Sequence, residues 1–156
     1  MKKIILSLLV GFSFLTCNAQ IFDKGNKGFN LGIAVDPFVD FTPRIHFSGE
    51  AGVIPLPNAG IISLGGNVDL NFVDFSELRT FLAFRAAFHF GFIKSDKYDI
   101  YAGLGIGVKL HEHNSNNSVY TEEFIGARML LTETLGLFLE LGYGPTAAKF
   151  GVSWLF

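Results

Sequence analysis

The stretch Ile100, Tyr101, Ala102, Gly103, Leu104, Gly105, Ile106, Gly107, Val108, Lys109, Leu110 alternates without a break. Successive side chains of a strand point to opposite faces. Ile100, Ala102, Leu104, Ile106, Val108 and Leu110 therefore share one face, opposite Tyr101, Gly103, Gly105, Gly107 and Lys109. The Gly103-Leu-Gly-Ile-Gly107 spacing has the look of a nucleotide loop. It lies mid-strand, however, with neither a following helix nor a Gly-Lys-Ser/Thr sequence, and reads as a stripe along one face.

The same period runs outward in both directions. Strands are expected near 28–36, 42–55, 61–73, 80–92, 98–110, 120–131, 135–143 and 147–156. Hydrophilic or Gly/Pro-containing breaks separate them, such as Pro57-Asn58-Ala59-Gly60 and Gly144-Pro145. Only the sixth segment alternates weakly. No helical period, low-complexity tract or domain linker follows residue 20.

Composition agrees with that outline. Of 156 residues, 49% are hydrophobic and 17% charged, with eighteen Gly and eighteen Phe. The hydrophobicity excludes a disordered chain, and a single Cys excludes a disulfide framework. A formal charge of -2 gives no basic footprint for nucleic acid. Soluble domains usually carry roughly 25% charged residues, so the shortfall suggests that much of the surface avoids water.

Residues 1–19 read as a secretory signal peptide: Lys2 and Lys3, an apolar run from Ile4 to Leu15, then Ala19 before the expected cut. A second reading acylates Cys17, although Thr16 stands where lipoprotein signals take a small residue. Residues 20–27 are expected to form a short segment ahead of a barrel over 28–156. No later apolar run reaches the ~20 residues of a membrane helix. A chain like this enters a bilayer only as a closed barrel, because an open sheet edge leaves backbone groups unpaired in lipid.

Glycine indicates which face turns inward. The polar face carries Gly32, Gly52, Gly65, Gly91, Gly103, Gly105, Gly107, Gly126, Gly136, Gly142 and Gly151, the apolar face only Gly49 and Gly66. Such glycines weaken a solvated strand face; within a narrow eight-stranded barrel they make room for long side chains. The same face carries Asp36, Glu50, Asp69, Glu122 and Glu140 together with Arg44, Arg85, Lys109, Arg128 and Lys149. Five acids matched by five bases suit a charge-paired, plugged lumen better than an ion-selective pore. Aromatic residues gather at strand ends, with Phe29, Phe90, Phe92, Trp154 and Phe156 at one and Phe38, Phe41, Phe72, Phe75, Tyr120 and Tyr143 at the other. Two interfacial belts are expected of a transmembrane barrel.

The segment Tyr101 to Lys109, the run Phe138-Leu-Glu-Leu-Gly-Tyr-Gly144 and the ending Lys149-Phe-Gly-Val-Ser-Trp-Leu-Phe156 resemble small bacterial outer-membrane β-barrels of the OmpA transmembrane-domain, OmpX and PorT-like kind. The resemblance implies eight antiparallel up-and-down strands, both ends in the periplasm, and Phe156 as a signal to the barrel assembly machinery. Its short loops depart from the mobile loops of adhesin-like members. The implied partners are outer-membrane lipid and lipopolysaccharide.

Three clusters invite other readings. His111-Glu112-His113 has metal-ligand spacing, yet no third ligand is visible and a solvated loop explains it. His46, Ser48, Glu50 and His89 suggest a hydrolase constellation, since some outer-membrane barrels process lipid A. On this face assignment they lie inside, away from lipid. The expectation is thus a monomeric, non-enzymatic outer-membrane barrel without cofactor or metal. The alternatives are a narrow solute pore and a soluble lipocalin-like binding barrel, which would turn its apolar face inward.

Overall fold

A computed structural model describes residues 21–36, 40–73, 77–92, 95–111 and 117–156. Eight strands follow one another: β1 (Lys27–Asp36), β2 (Asp40–Leu56), β3 (Gly60–Val73), β4 (Glu77–Phe90), β5 (Tyr98–His111), β6 (Ser118–Leu130), β7 (Leu135–Tyr143) and β8 (Ala148–Leu155). Each pairs antiparallel with the next, and β8 returns to β1, closing an up-and-down barrel. The seam runs from Gly28 opposite Leu155 to Val35 opposite Ala148. All eight expected strands are present, with ends displaced by up to three residues.

Closure leaves no edge. It also gives the two faces different surroundings. Leu104, Phe84, Ile106 and Ile125 stand 64, 57, 57 and 56% exposed on the outer wall, while Arg128 and Glu140 are 1 and 2% exposed inside. The polarity is the one expected from glycine, and opposite to that of a lipocalin-like cup.

The glycines of the deciding stretch each face a large partner across the β5–β6 ladder. Gly103 lies opposite Phe124, Gly105 opposite Glu122 and Gly107 opposite Tyr120, while Gly126 of β6 lies opposite Tyr101. A Cβ on Gly126 would stand 2.4 Å from the Tyr101 ring. Arg85 has Gly65 on one side and Gly105 on the other; Glu50 has Gly28 and Gly65. Room is therefore made for aromatic rings as well as for charges, which the sequence reading had not anticipated. Tyr120 is a correction of the same kind. It shares its face with Glu122 and leans into the lumen, so it does not belong to an outer aromatic belt.

Both termini of the barrel meet at one end. There Lys27 and Phe156 exchange backbone hydrogen bonds of 3.0 and 2.9 Å, with the Phe156 side chain exposed. Residues 21–26 do more than lead into β1. The Gly25 amide donates to the Gly52 carbonyl and the Gly52 amide to that of Asn26, at the point where β2 slips register against β3. Phe22 is thereby held inside with no exposed surface, in a small core with Ile61 and Leu155. The segment caps this end of the lumen.

The expected leader over 1–19, with Cys17, lies outside the described residues, as do Phe38, Phe75, Glu112 and His113. The side chains of Phe41, Phe72 and His111 are likewise not described.

Candidate functional site in the filled lumen

Eight strands enclose a bore just wide enough for side chains to fill. Here they fill it in three storeys.

At the capped end, Arg128 of β6 forks between two carboxylates. Its Nη1 donates to Asp99 Oδ2 at 2.9 Å and its Nη2 to Glu50 Oε1 at 2.7 Å. Asp99 is its direct neighbour on β5; Glu50 reaches it across the bore from β2. A planar guanidinium suits this two-pronged task. His89 occupies the other side of the same acids. Its Nδ1 lies 2.9 Å from Asp99 Oδ2, and its Nε2 lies 3.2 Å from Glu50 Oε2 and 3.0 Å from Ser63 Oγ. Ser63 itself donates to Glu50 Oε2 at 2.7 Å. Both ring nitrogens of His89 thus face oxygen partners, with Asp99 on one side and Glu50 and Ser63 on the other. Phe22 covers this group, its ring stacked on His89 at 4.0 Å.

Mid-bore, Arg85 Nη2 donates to Glu140 Oε2 at 2.8 Å. Its Nε stands 3.1 Å from Glu122 Oε1, in ion-pair range although the N–H is not aligned for a hydrogen bond. Lys149 Nζ donates to Glu122 Oε2 at 2.9 Å, and the Tyr101 hydroxyl to Glu140 Oε1 at 3.0 Å. The Arg85 guanidinium also lies 3.7 Å over the Phe124 ring. Two cations thus meet two anions, as buried charges require. Beside them, His46 Nδ1 is 2.5 Å from Asp69 Oδ1, its cross-strand neighbour. His46 Nε2 is 3.1 Å from Ser48 Oγ, and Asn30 Nδ2 donates to the same hydroxyl oxygen at 3.0 Å.

At the opposite end, Arg44 donates to the Pro145 carbonyl at 2.5 Å and lies 4.5 Å over Phe81. Lys109 Nζ approaches the same ring at 5.4 Å. Asp36 is buried, as is Arg44.

Of the ten residues expected to form the lumen charge network, Glu50 and Arg128 meet in the capped storey, and Arg85, Glu122, Glu140 and Lys149 in the middle one. Asp69 pairs with a histidine instead of an arginine. Lys109 stands over an aromatic ring. Sequence reasoning missed Asp99, although the period of β5 places it on the face of Tyr101; its position beside the Asp96-Lys97 turn obscures it. It also missed Phe22, whose segment has no alternation to read.

The suspected hydrolase residues divide into two arrays. Ser48–His46–Asp69 and Ser63–His89–Asp99 both follow the order nucleophile, base, orienting acid. Both serines are buried. The cavity they border, with Asn30, Arg85 and Tyr101, is about 10 Å³, room for one water. Neither serine has space beside it for an acyl group. The arrays satisfy hydrogen bonds where they stand. No group of three or more His, Cys, Asp and Glu side chains has metal-site geometry among the described residues.

A solved chain from the de novo design of transmembrane beta-barrels has a similar fold. It matches with a TM-score of 0.60 at 15% identity, over 86% of this chain and 98% of that chain. No family model matches this chain, and no curated protein matches it. At this identity the likeness is one of fold, a β-barrel that this chain closes with eight antiparallel strands.

Proposed function

We propose that the chain is an integral barrel of the bacterial outer membrane, of the OmpA/OmpX/PorT-like kind, with a non-enzymatic structural or interaction role. The observation that carries this is the inverted polarity: leucine, isoleucine and phenylalanine clothe the outer wall, and buried ions fill the bore. Water would penalise that wall, whereas hydrocarbon accepts it. The capped end and the two ion clusters favour a closed lumen over a solute path. The partners of this reading are outer-membrane lipid and lipopolysaccharide around the wall, with no nucleic acid, and the barrel assembly machinery engaging Phe156 during insertion. It acts as a monomer, exported by a leader over residues 1–19.

The test is fractionation of cells expressing the chain. Retention in the outer membrane after carbonate washing, with gel migration that shifts on boiling, is expected. Release into the wash as soluble protein would refute it. Planar-bilayer recording separates scaffold from pore, and a silent bilayer is expected.

A further inference from the structure

At the capped end a groove of about 480 Å³ opens between the 21–26 segment, the turn before β5 and the β6–β7 turn. Its floor is apolar: Ile21 and Leu130 lean, partly buried, on the core of Phe22, Ile61 and Leu155. Two carboxylates stand in its walls, Asp96 from one turn and Glu133 from the other. A hydroxyl fixes each turn. Ser95 Oγ accepts from the amides of Lys97 and Tyr98 at 3.1 Å each, and Thr132 Oγ1 from that of Leu135 at 3.0 Å. Both acids are exposed, as are Lys24 and Lys97, yet among the described residues no basic side chain is in ion-pair range of either acid. The Ile21 carbonyl accepts from Asn26 Nδ2 at 3.0 Å, which ties Ile21 to the groove wall. One residue of extended chain spans at most about 3.6 Å, so the backbone nitrogen of Gln20 cannot leave this neighbourhood.

Removal of a leader over residues 1–19 turns that nitrogen from an uncharged peptide amide into an α-amine, mostly protonated at neutral pH. We infer that the groove is the seat of the mature amino terminus, the Gln20 ammonium docking between Asp96 and Glu133 and fastening the 21–26 segment. The inference rests on the export leader proposed above. Processing then adds a contact at the capped end that the precursor lacks.

The chain beginning at Gln20 is refolded in detergent micelles in two forms. One keeps the free amine; in the other the amine has attacked the Gln20 side-chain amide, releasing ammonia and leaving a neutral lactam of the same length. Amide hydrogen exchange is read at Gly25 and Gly52, whose amides bond the segment to β2. The lactam should speed exchange there about fivefold, the scale of an exposed ion pair, with the β5 amides unchanged. In the Asp96→Asn, Glu133→Gln double variant, whose heat-shifted migration reports a folded barrel, the two forms should exchange alike. Equal exchange by the two forms of the unaltered chain, or an undiminished difference in the double variant, overturns the inference. The mass of the exported protein should correspond to a first residue Gln20 with its amine free. A lactam there overturns the seat, and a different first residue overturns the leader on which it rests.

Discussion

Arg128 shows how much one side chain can carry in a bore this narrow. It bridges Asp99 and Glu50, contacts Tyr101 by its cationic face at 5.3 Å, and is almost wholly buried. Removing one partner of a buried ion pair costs about 3–5 kcal/mol, because the other charge is left uncompensated. Arg128→Ala should therefore lower the unfolding free energy of the micelle-refolded barrel, from urea titration, by an amount in that range. Lys109→Gln, which breaks no ion pair among the described residues, should change it little; equal losses in the two variants would contradict the paired-lumen account. Gly126→Ala is a second residue-scale case. Its new Cβ would press on the Tyr101 ring, whose hydroxyl holds Glu140. Overpacking of this sort costs about 1–3 kcal/mol, measurable in the same titration.

Among the elements, β5 was the most legible, because period-2 alternation and a glycine stripe agree along its whole length. Its partner β6 was the least legible. Phe124 and Glu122 share the inward face of β6, and what makes that face possible is the glycine row on β5 opposite them. A one-strand reading cannot see a complement that lies on the next strand. For the same reason the ten charges could be named but not matched: Glu50 with Arg128 and Arg85 with Glu140 meet across the bore, at distances set by register and closure rather than by sequence spacing. His46 and His89 were noticed for their chemistry, yet their acids, Asp69 and Asp99, come from neighbouring strands. Two predictions belong at this scale. On the outer face, Leu104→Arg should destabilise the vesicle-inserted barrel by about 2–4 kcal/mol if the site is near the bilayer midplane, with a much smaller effect in micelles that can adapt around it. The segment over 21–26 should contribute stability more than closure. Phe22→Ala removes the ring stacked on His89 and should cost about 3–5 kcal/mol, as for other buried phenylalanines. Deleting 21–26 should leave bilayer recordings silent, because Arg85, Glu122, Glu140 and Lys149 still fill the middle of the bore. Current steps after the deletion would place the closure in the segment instead.

For the molecule as a whole, inside and outside are exchanged relative to a soluble domain, and stability has to be read accordingly. Dispersion and hydrogen bonding within the bore replace an oily core. Buried ion pairs add little net stability over well-packed apolar groups, so the ion clusters are better understood as fixing which strands face which. Replacing Arg85 and Glu140 together by Met and Leu should then be tolerated far better than replacing either alone, as a double-mutant cycle on boiling-resistant migration would show.

The seam between β1 and β8 has a kinetic consequence. Its two strands are the first and the last in sequence yet adjacent in space, so the largest loop in the barrel has to close before Lys27 and Phe156 can bond. Nearly every hairpin can form from local contacts, but this clasp cannot. Fastening it is the natural bottleneck of assembly, and a factor that holds the final strand near the first would accelerate folding without altering the finished structure.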